Sequence, residues 1–199
     1  NEGVNPNGAI AIASRSHNLI ATATIFSLLE INWPKALEIA RKVFDNVDHL
    51  ENKFNNDPKE MKPLPGVLRF LKELNQANVL CALISNDSEK GIKKFLSKNG
   101  LENMFLQIWS ADNQPTKPDP AAVQSLCNLI GLIPEECALV GDADTDLLMA
   151  REAGIGLTLG YVAGWSKKPQ LTAQQELVHH WDELTVEGKP KIPEDKRSP

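Results

Sequence analysis

The chain has 199 residues, of which 42% are hydrophobic and 24% charged, the balance of an ordinary folded domain. A formal net charge of -5 without a basic tract argues against nucleic acid as a partner. No apolar run approaches the length of a membrane span. The three cysteines, Cys81, Cys127 and Cys137, form no CxxC pair, so we expect reduced thiols in a cytoplasmic protein.

Residues 1–62 predict a small helical subdomain. Apolar side chains recur at helical spacing over residues 17–29 and again over residues 33–50. A short apolar run, residues 9–13, has no clear secondary-structure type. The polar, proline-bearing stretch 55–65 predicts a linker to the next unit.

Residues 63–166 predict a second, larger unit in which helical and strand patterns alternate. The predicted helices cover residues 67–75, 89–98, 120–130 and 145–153, and the predicted strands cover residues 79–84, 107–110, 137–140 and 155–161. This alternation indicates an α/β fold with a doubly wound parallel sheet. For residues 167–199 we expect one short helix, over 176–184, followed by a disordered charged tail.

An acidic segment, residues 140–146 (VGDADTD), lies between a predicted strand and a predicted helix. Carboxylates this close repel one another unless a cation lies between them, and Mg²⁺ prefers oxygen ligands. An acidic helix N-terminus is the alternative interpretation. A calcium loop is excluded, since its sixth position would be Leu147 instead of glycine and its twelfth Ala153 instead of glutamate.

Two other strand ends also carry polar residues. Ser85 and Asn86 stand between a predicted strand and a predicted helix, where a hydroxyl and free backbone N–H groups can bind an anion. An ordinary helix cap is the alternative there. Lys117 lies in residues 116–120 (TKPDP), whose prolines restrict the backbone, so its charge could be held ready for a phosphoryl group. A surface lysine in a turn is the alternative.

The order of these motifs resembles the haloacid dehalogenase (HAD) superfamily, especially its phosphoglycolate-phosphatase-like members. The matching segments are residues 83–86 (LISN), 117–120 (KPDP) and 140–154, and the likeness spans about residues 60–165. The resemblance implies a Rossmannoid core with a helical cap, monomeric or homodimeric. It also implies an Mg²⁺-dependent phosphatase that acts on a small phosphorylated metabolite through an aspartyl-phosphate.

The same resemblance implies a role for each site residue. Ser85 and the backbone of Asn86 would bind phosphoryl oxygens, and Lys117 would neutralise the phosphate and the nucleophile. Asp142 would coordinate Mg²⁺. Asp146 would hold Lys117 or a metal-bound water.

One aspartate lies outside the family pattern, and one that the pattern requires is missing. Asp144 is not a required position, so we expect it to be a helix cap or a surface residue. The family's nucleophile is the first aspartate of a DxDx[TV] motif on a strand before the cap. Here the first aspartate is Asp45, which lies in a helical pattern and cannot supply it.

We therefore expect a preceding segment to carry the nucleophile on a central strand. That strand would lie between the strands ending at Ser85 and Asp142, so those two strands should not pair directly. Residues 9–13, or a segment of a partner molecule, could fill the slot instead. A non-catalytic phosphate- or metal-binding relative, a phosphomutase and a dehalogenase remain alternatives. A receiver domain does not, because it lacks a Gly-Asp strand end after its lysine.

Overall fold

The structure, a computed structural model, describes residues 3–54 and 62–187. Its helices are α1 (Ala9–Ile12), α2 (Arg15–Leu28), α3 (Trp33–Phe54), α4 (Val67–Gln76), α5 (Glu89–Lys98), α6 (Pro120–Leu129) and α7 (Asp144–Glu152). Its strands are β1 (Ala82–Ile84), β2 (Gln107–Trp109), β3 (Ala138–Gly141), β4 (Leu157–Tyr161) and β5 (Glu176–Val178). Single 3-10 turns lie at Glu102–Met104, Pro134–Glu136 and Trp181–Glu183. No helix in the described ranges is both long and apolar enough to cross a membrane.

The strands form two parallel sheets, one of β1 and β2 and one of β3, β4 and β5. Successive side chains of β1 point to opposite faces, as in any strand. Ile84 packs with residues of α6 and α7, whereas Leu83 packs with residues of α4 and α5. Helices therefore cover both faces, which confirms the predicted doubly wound α/β fold.

The facing edges of β1 and β3 are not joined by hydrogen bonds. Among the described strands, β1 pairs only with β2, and β3 pairs only with β4. Even so, Ile84 of β1 and Leu139 of β3 pack against one cluster that includes Val123 and Met149. The two strands thus share a core without pairing, as predicted for strands that flank a missing central one.

Residues 9–13 do not form a strand between β1 and β3. Residues Ala9–Ile12 form the short helix α1, so the suggestion that they supply the central strand is wrong. The segment nevertheless lies against the end of β1, because the Ile12 carbonyl accepts a 2.8 Å hydrogen bond from Asn86 Nδ2.

The predicted helices of the N-terminal part are confirmed. Ser14 caps α2 by accepting a hydrogen bond from the His17 backbone N–H. Helix α2 packs antiparallel to α3, and Arg15 forms ion pairs with Asp45 and Asp48 near the far end of α3. The predicted linker lies mostly outside the described residues.

The predicted helix over residues 176–184 is wrong. Residues Glu176–Val178 form β5, which pairs in parallel with β4, and Trp181–Glu183 form only one 3-10 turn. The apolar residues Leu177, Trp181 and Leu184 imitate helical spacing, but residues 176–178 pair with the open edge of β4 instead. The predicted tail beyond residue 187 lies outside the described residues.

The segment after β5 is fixed to the core by Trp181 and Arg69. The Trp181 ring stacks on Tyr161 with 4.9 Å between centroids. The Arg69 guanidinium of α4 donates to the carbonyls of Trp181 and Leu184, at 2.8 and 3.1 Å. The α/β core therefore extends past residue 166, the end that the sequence predicted for it.

Candidate active site

Ser85 and Asn86 follow β1 directly, and neither caps the next helix. Ser88 caps α5, with its hydroxyl accepting a 3.1 Å hydrogen bond from the Gly91 N–H. The Ser85 hydroxyl oxygen accepts a 3.1 Å bond from the Asp87 N–H, which orients it. Because Ser88 satisfies the helix terminus, the Ser85 hydroxyl hydrogen is available to a ligand.

The Asn86 side chain is only half satisfied. Its Nδ2 donates to the Ile12 carbonyl, but its Oδ1 is buried without a hydrogen-bond partner in the described part of the chain. A buried acceptor without a donor costs about 1–3 kcal/mol. The unpaired oxygen lies at the carboxyl end of β1, where the sequence predicts ligand contacts.

The loop that carries Lys117 is anchored on both sides. The Trp109 indole donates a 2.9 Å hydrogen bond to the Pro115 carbonyl, and Asp119 caps α6 by accepting from the Ala121 N–H at 2.9 Å. The Lys117 side chain is only 10% exposed. The alternative of a surface lysine in a turn is therefore wrong.

Lys117 forms a buried ion pair with Asp146. Lys117 Nζ lies 2.8 Å from Asp146 Oδ1, and the Asp146 side chain is 16% exposed. Because the lysine follows β2 and the aspartate lies in the first turn of α7 after β3, the pair connects the two sheets. A β-carbon on Gly141 would lie 3.0 Å from the Asp146 β-carbon, so glycine leaves room for this approach.

The three carboxylates of the acidic segment do not form one cluster. Asp142 Oδ2 accepts a 2.8 Å hydrogen bond from the Trp165 indole, and Asp146 pairs with Lys117. In residues 3–54 and 62–187, no three His, Cys, Asp or Glu side chains are grouped so that they could hold a metal. The argument that three packed carboxylates need a shared cation is therefore wrong for this segment.

Asp144 has a structural partner in the loop after β4. Its Oδ1 accepts from the backbone N–H groups of Thr172 and Ala173, at 2.7 and 3.0 Å, and its Oδ2 accepts from the Thr172 hydroxyl at 2.7 Å. Burial by itself would raise the pKa of Asp144, but the Thr172 and Ala173 hydrogen bonds and the Arg151 charge bring it below its usual value. The expectation of a helix cap is wrong, since the cap position of α7 is Ala143, whereas the expected surface position agrees with the exposed hydrogen bonds to Thr172.

Asp142 fits an Mg²⁺ ligand in chemistry and in position. It is partly buried directly after β3, and its Oδ1 has no partner within the described ranges. Mg²⁺ takes one or two protein carboxylates and completes its coordination with water and phosphate oxygens. One free carboxylate oxygen beside a neutralised Lys–Asp pair is compatible with such a site.

All five predicted site residues lie at the same edge of the fold. Ser85, Asn86 and Asp142 follow β1 and β3, Lys117 lies in the loop after β2, and Asp146 lies one turn after β3. The carboxyl ends of parallel strands form the usual ligand crevice of open α/β sheets. The edge combines a hydroxyl, a fixed ammonium and a free carboxylate oxygen, which suits an anion held with a divalent cation.

Sequence reasoning missed Trp165 at this site. The Trp165 indole reaches a carboxylate 23 residues away, so no local spacing could indicate the contact. The only signal is an aromatic residue in the segment after a predicted strand of the core.

Parallel strands covered by helices, with polar residues beyond their carboxyl ends, define a Rossmannoid α/β domain with a candidate ligand site. A family model for haloacid dehalogenase-like hydrolases matches residues 19–159, which is more than half of the chain. The chain belongs to this family.

Curated relatives agree with this assignment, and a solved structure agrees with the fold. The chain is 35% identical over 101 residues to a phosphoglycolate phosphatase of Pasteurella multocida, covering 49% of this chain and 45% of the relative. It is 35% identical over 118 residues to that of Vibrio cholerae, covering 57% and 51%. The crystal structure of a predicted phosphoglycolate phosphatase from Haemophilus somnus superposes with a TM-score of 0.64 at 20% identity, covering 75% of this chain and 65% of that one. The chain thus spans about half the length of the curated relatives that it matches.

Proposed function

We propose that the complete protein is an Mg²⁺-dependent phosphatase of a small phosphorylated metabolite and that it works through an aspartyl-phosphate. The observation that carries the proposal is the buried Lys117–Asp146 pair, which spans the unpaired edges of β1 and β3. Ser85 and Asp142 flank it at the ends of those two strands. A nucleophile on a strand between β1 and β3 would emerge beside all four side chains.

The first chemical step joins the nucleophile to phosphorus. A carboxylate oxygen of an aspartate outside residues 1–199 forms a bond to phosphorus as the bond to the substrate's alcohol oxygen breaks. That oxygen keeps the electron pair, takes up a proton from solvent and leaves as the alcohol. Water then attacks the same phosphorus and releases phosphate, which restores the carboxylate. Positioning and charge neutralisation supply most of the rate in such reactions.

The residues of this chain hold and neutralise the transferring group. The Ser85 hydroxyl and the Asn86 backbone N–H donate to phosphoryl oxygens. The Lys117 ammonium faces the negative charge of phosphate and nucleophile, and Asp146 fixes that ammonium in place. Asp142 would hold Mg²⁺, which supplies further neutralisation of the phosphoryl oxygens when it is bound.

Residues 1–62 would act as the cap over this site. Helices α2 and α3 form a separate packed pair, and the contact between Ile12 and Asn86 connects the N-terminal segment to the end of β1. A cap that closes over the substrate excludes water and sets specificity. The names of the curated relatives make 2-phosphoglycolate the first substrate to test, and the reduced cysteines suit a cytoplasmic location.

The experiment is phosphate release by the full-length protein from a panel of small phosphomonoesters, with Mg²⁺ and with a chelator. We expect turnover that needs Mg²⁺ and that falls by about 10²-fold or more in Lys117→Met. Lys93→Met removes an exposed lysine that pairs with Glu89 on α5, outside the proposed cap, and should leave turnover unchanged. A full-length protein that binds phosphate and metal without releasing phosphate would favour the non-catalytic relative, and the proposal would be wrong.

A further inference from the structure

The Trp165 indole is the one donor to Asp142 within the described ranges. Trp165 Nε1 lies 2.8 Å from Asp142 Oδ2, and the ring is partly buried. The residue lies after β4, the strand next to β3, so it approaches the candidate metal ligand from the neighbouring strand end.

The loop that carries Trp165 is held at its far end. Asp144 accepts three hydrogen bonds from Thr172 and Ala173. The Gln175 side chain accepts from the Thr158 N–H at 2.6 Å, and the Gln175 N–H donates back to the Thr158 carbonyl at 2.9 Å. These bonds tie the far end of the loop to α7 and β4, and the hydrogen bond between Trp165 and Asp142 ties the near end to the residue after β3.

We propose that Trp165 is a positioning residue that makes Asp142 a one-oxygen metal ligand and thereby favours Mg²⁺ over Ca²⁺. The inference rests on the proposed function, since it takes Asp142 as the metal ligand. Nothing in the motifs that identify the family points to this tryptophan.

The physical reason is that the two carboxylate oxygens of Asp142 have different partners. The indole N–H occupies Oδ2 and fixes the carboxylate plane, which leaves Oδ1 to face a cation. Mg²⁺ needs a compact octahedral shell with short bonds, whereas Ca²⁺ accepts both oxygens of a carboxylate in a larger, looser shell. A hydrogen bond that blocks two-oxygen binding therefore penalises Ca²⁺ more than Mg²⁺.

Hydrogen bonds to a ligating group also raise metal affinity by orienting it. Removing such a partner typically costs 10–100-fold in metal affinity or activity. A tryptophan that merely filled space would give no such ion-specific effect, because loss of packing weakens all divalent cations alike.

The test measures Mg²⁺ and Ca²⁺ dissociation constants by calorimetry on the full-length protein, without substrate. Trp165→Phe keeps an aromatic ring but removes the N–H. Trp33→Phe is the matched control, because it makes the same change on α3, where Trp33 is 43% exposed. We expect Trp165→Phe to weaken Mg²⁺ by about 10-fold and Ca²⁺ by less, so the preference for Mg²⁺ falls. Trp33→Phe should change neither constant.

Two outcomes overturn the inference. One is an Mg²⁺ constant that is the same in Trp165→Phe and in the unsubstituted protein. The other is an equal weakening of both cations, which would assign Trp165 to packing alone. Asp142→Asn separates this failure from failure of the proposed function, because unchanged Mg²⁺ binding in that variant would mean that Asp142 is not the ligand.

A second measurement uses the unsubstituted protein, so it can be made even if Trp165→Phe does not fold. In the full-length protein labelled with ¹⁵N, the Trp165 indole N–H resonance should shift when Mg²⁺ is added. The Trp33 indole resonance should stay in place. A Trp165 resonance that does not move during a saturating Mg²⁺ titration contradicts the inference.

Discussion

Lys117 and Asp146 are joined by a 2.8 Å ion pair that connects the loop after β2 to the helix after β3. Both side chains are at least four-fifths buried, so solvent screens their attraction weakly. The two sheets share no hydrogen bond between β1 and β3, which gives this pair a structural role besides its proposed catalytic one.

Breaking the pair on one side should destabilise the fold. Lys117→Met leaves the Asp146 carboxylate buried without its partner, which should lower the free energy of unfolding by about 1–3 kcal/mol. The double variant Lys117→Met, Asp146→Leu should recover part of this loss, since it leaves no unpaired charge. Urea unfolding of the full-length protein measures both. Lys42→Met, in an exposed pair, is the control, and a single variant as stable as this control would contradict the role.

Asp142 and Asp144 should respond differently to the same substitution. Asp142→Asn should weaken Mg²⁺ binding and cut turnover strongly, because a neutral amide oxygen is a poorer ligand. Asp144→Asn should instead lower stability by about 1 kcal/mol through its bonds to Thr172 and Ala173. Mg²⁺ titration and thermal unfolding of both variants decide the matter. Equal losses of Mg²⁺ affinity would show that the roles assigned to the two aspartates are wrong.

Gly141→Ala should damage the site more than the fold. The added β-carbon would lie 3.0 Å from the Asp146 β-carbon and would displace the partner of Lys117. Gly156→Ala is the matched comparison, because its β-carbon would lie only 2.1 Å from the Glu135 carbonyl oxygen, away from the site. We expect Gly141→Ala to lose turnover with a modest change in melting temperature, and Gly156→Ala to lose mainly stability. The opposite ranking would contradict the assigned contact.

Cys127 should be slow to react while the protein is folded. Burial, with Cys137 nearby, raises the pKa of the Cys127 thiol from 9.0 to about 11. Because the folded state favours the protonated thiol, stability from this group is intact below pH 9 and falls as the pH rises toward 11. Iodoacetamide labelling at pH 8, mapped by mass spectrometry, should leave Cys127 unmodified until denaturant is added. Rapid labelling of the folded protein would contradict this prediction.

The sequence predicts best what local spacing determines. The helices before and after β1 follow from apolar periodicity and caps, and the ends of β1 and β3 follow from polar residues after apolar runs. The strand ending at Ile84 is shorter than predicted and begins at Ala82. Val79 and Leu80 precede it and are about half exposed, so hydrophobicity alone overstated the strand.

The features that the sequence does not predict depend on contacts with residues far along the chain. Asp144 is bound by Thr172 and Ala173, and Asp142 by Trp165. Asp146 pairs with Lys117, so each carboxylate of the acidic segment has its own partner. The strand β5 forms because β4 offers an edge, although its own pattern imitates a helix. Each of these outcomes is set by tertiary contacts that override local preference.

The most direct test is to trap the phosphorylated residue of the full-length protein. The protein is mixed with Mg²⁺ and the phosphomonoester that it hydrolyses fastest, quenched in acid and reduced with borohydride, which converts an aspartyl-phosphate to homoserine. Peptide mapping should then find homoserine at the first aspartate of a DxDx[TV] motif outside residues 1–199. Homoserine at Asp142 or Asp146 would contradict the assigned nucleophile and the strand expected between β1 and β3. No homoserine while phosphate is being released would contradict the aspartyl-phosphate mechanism.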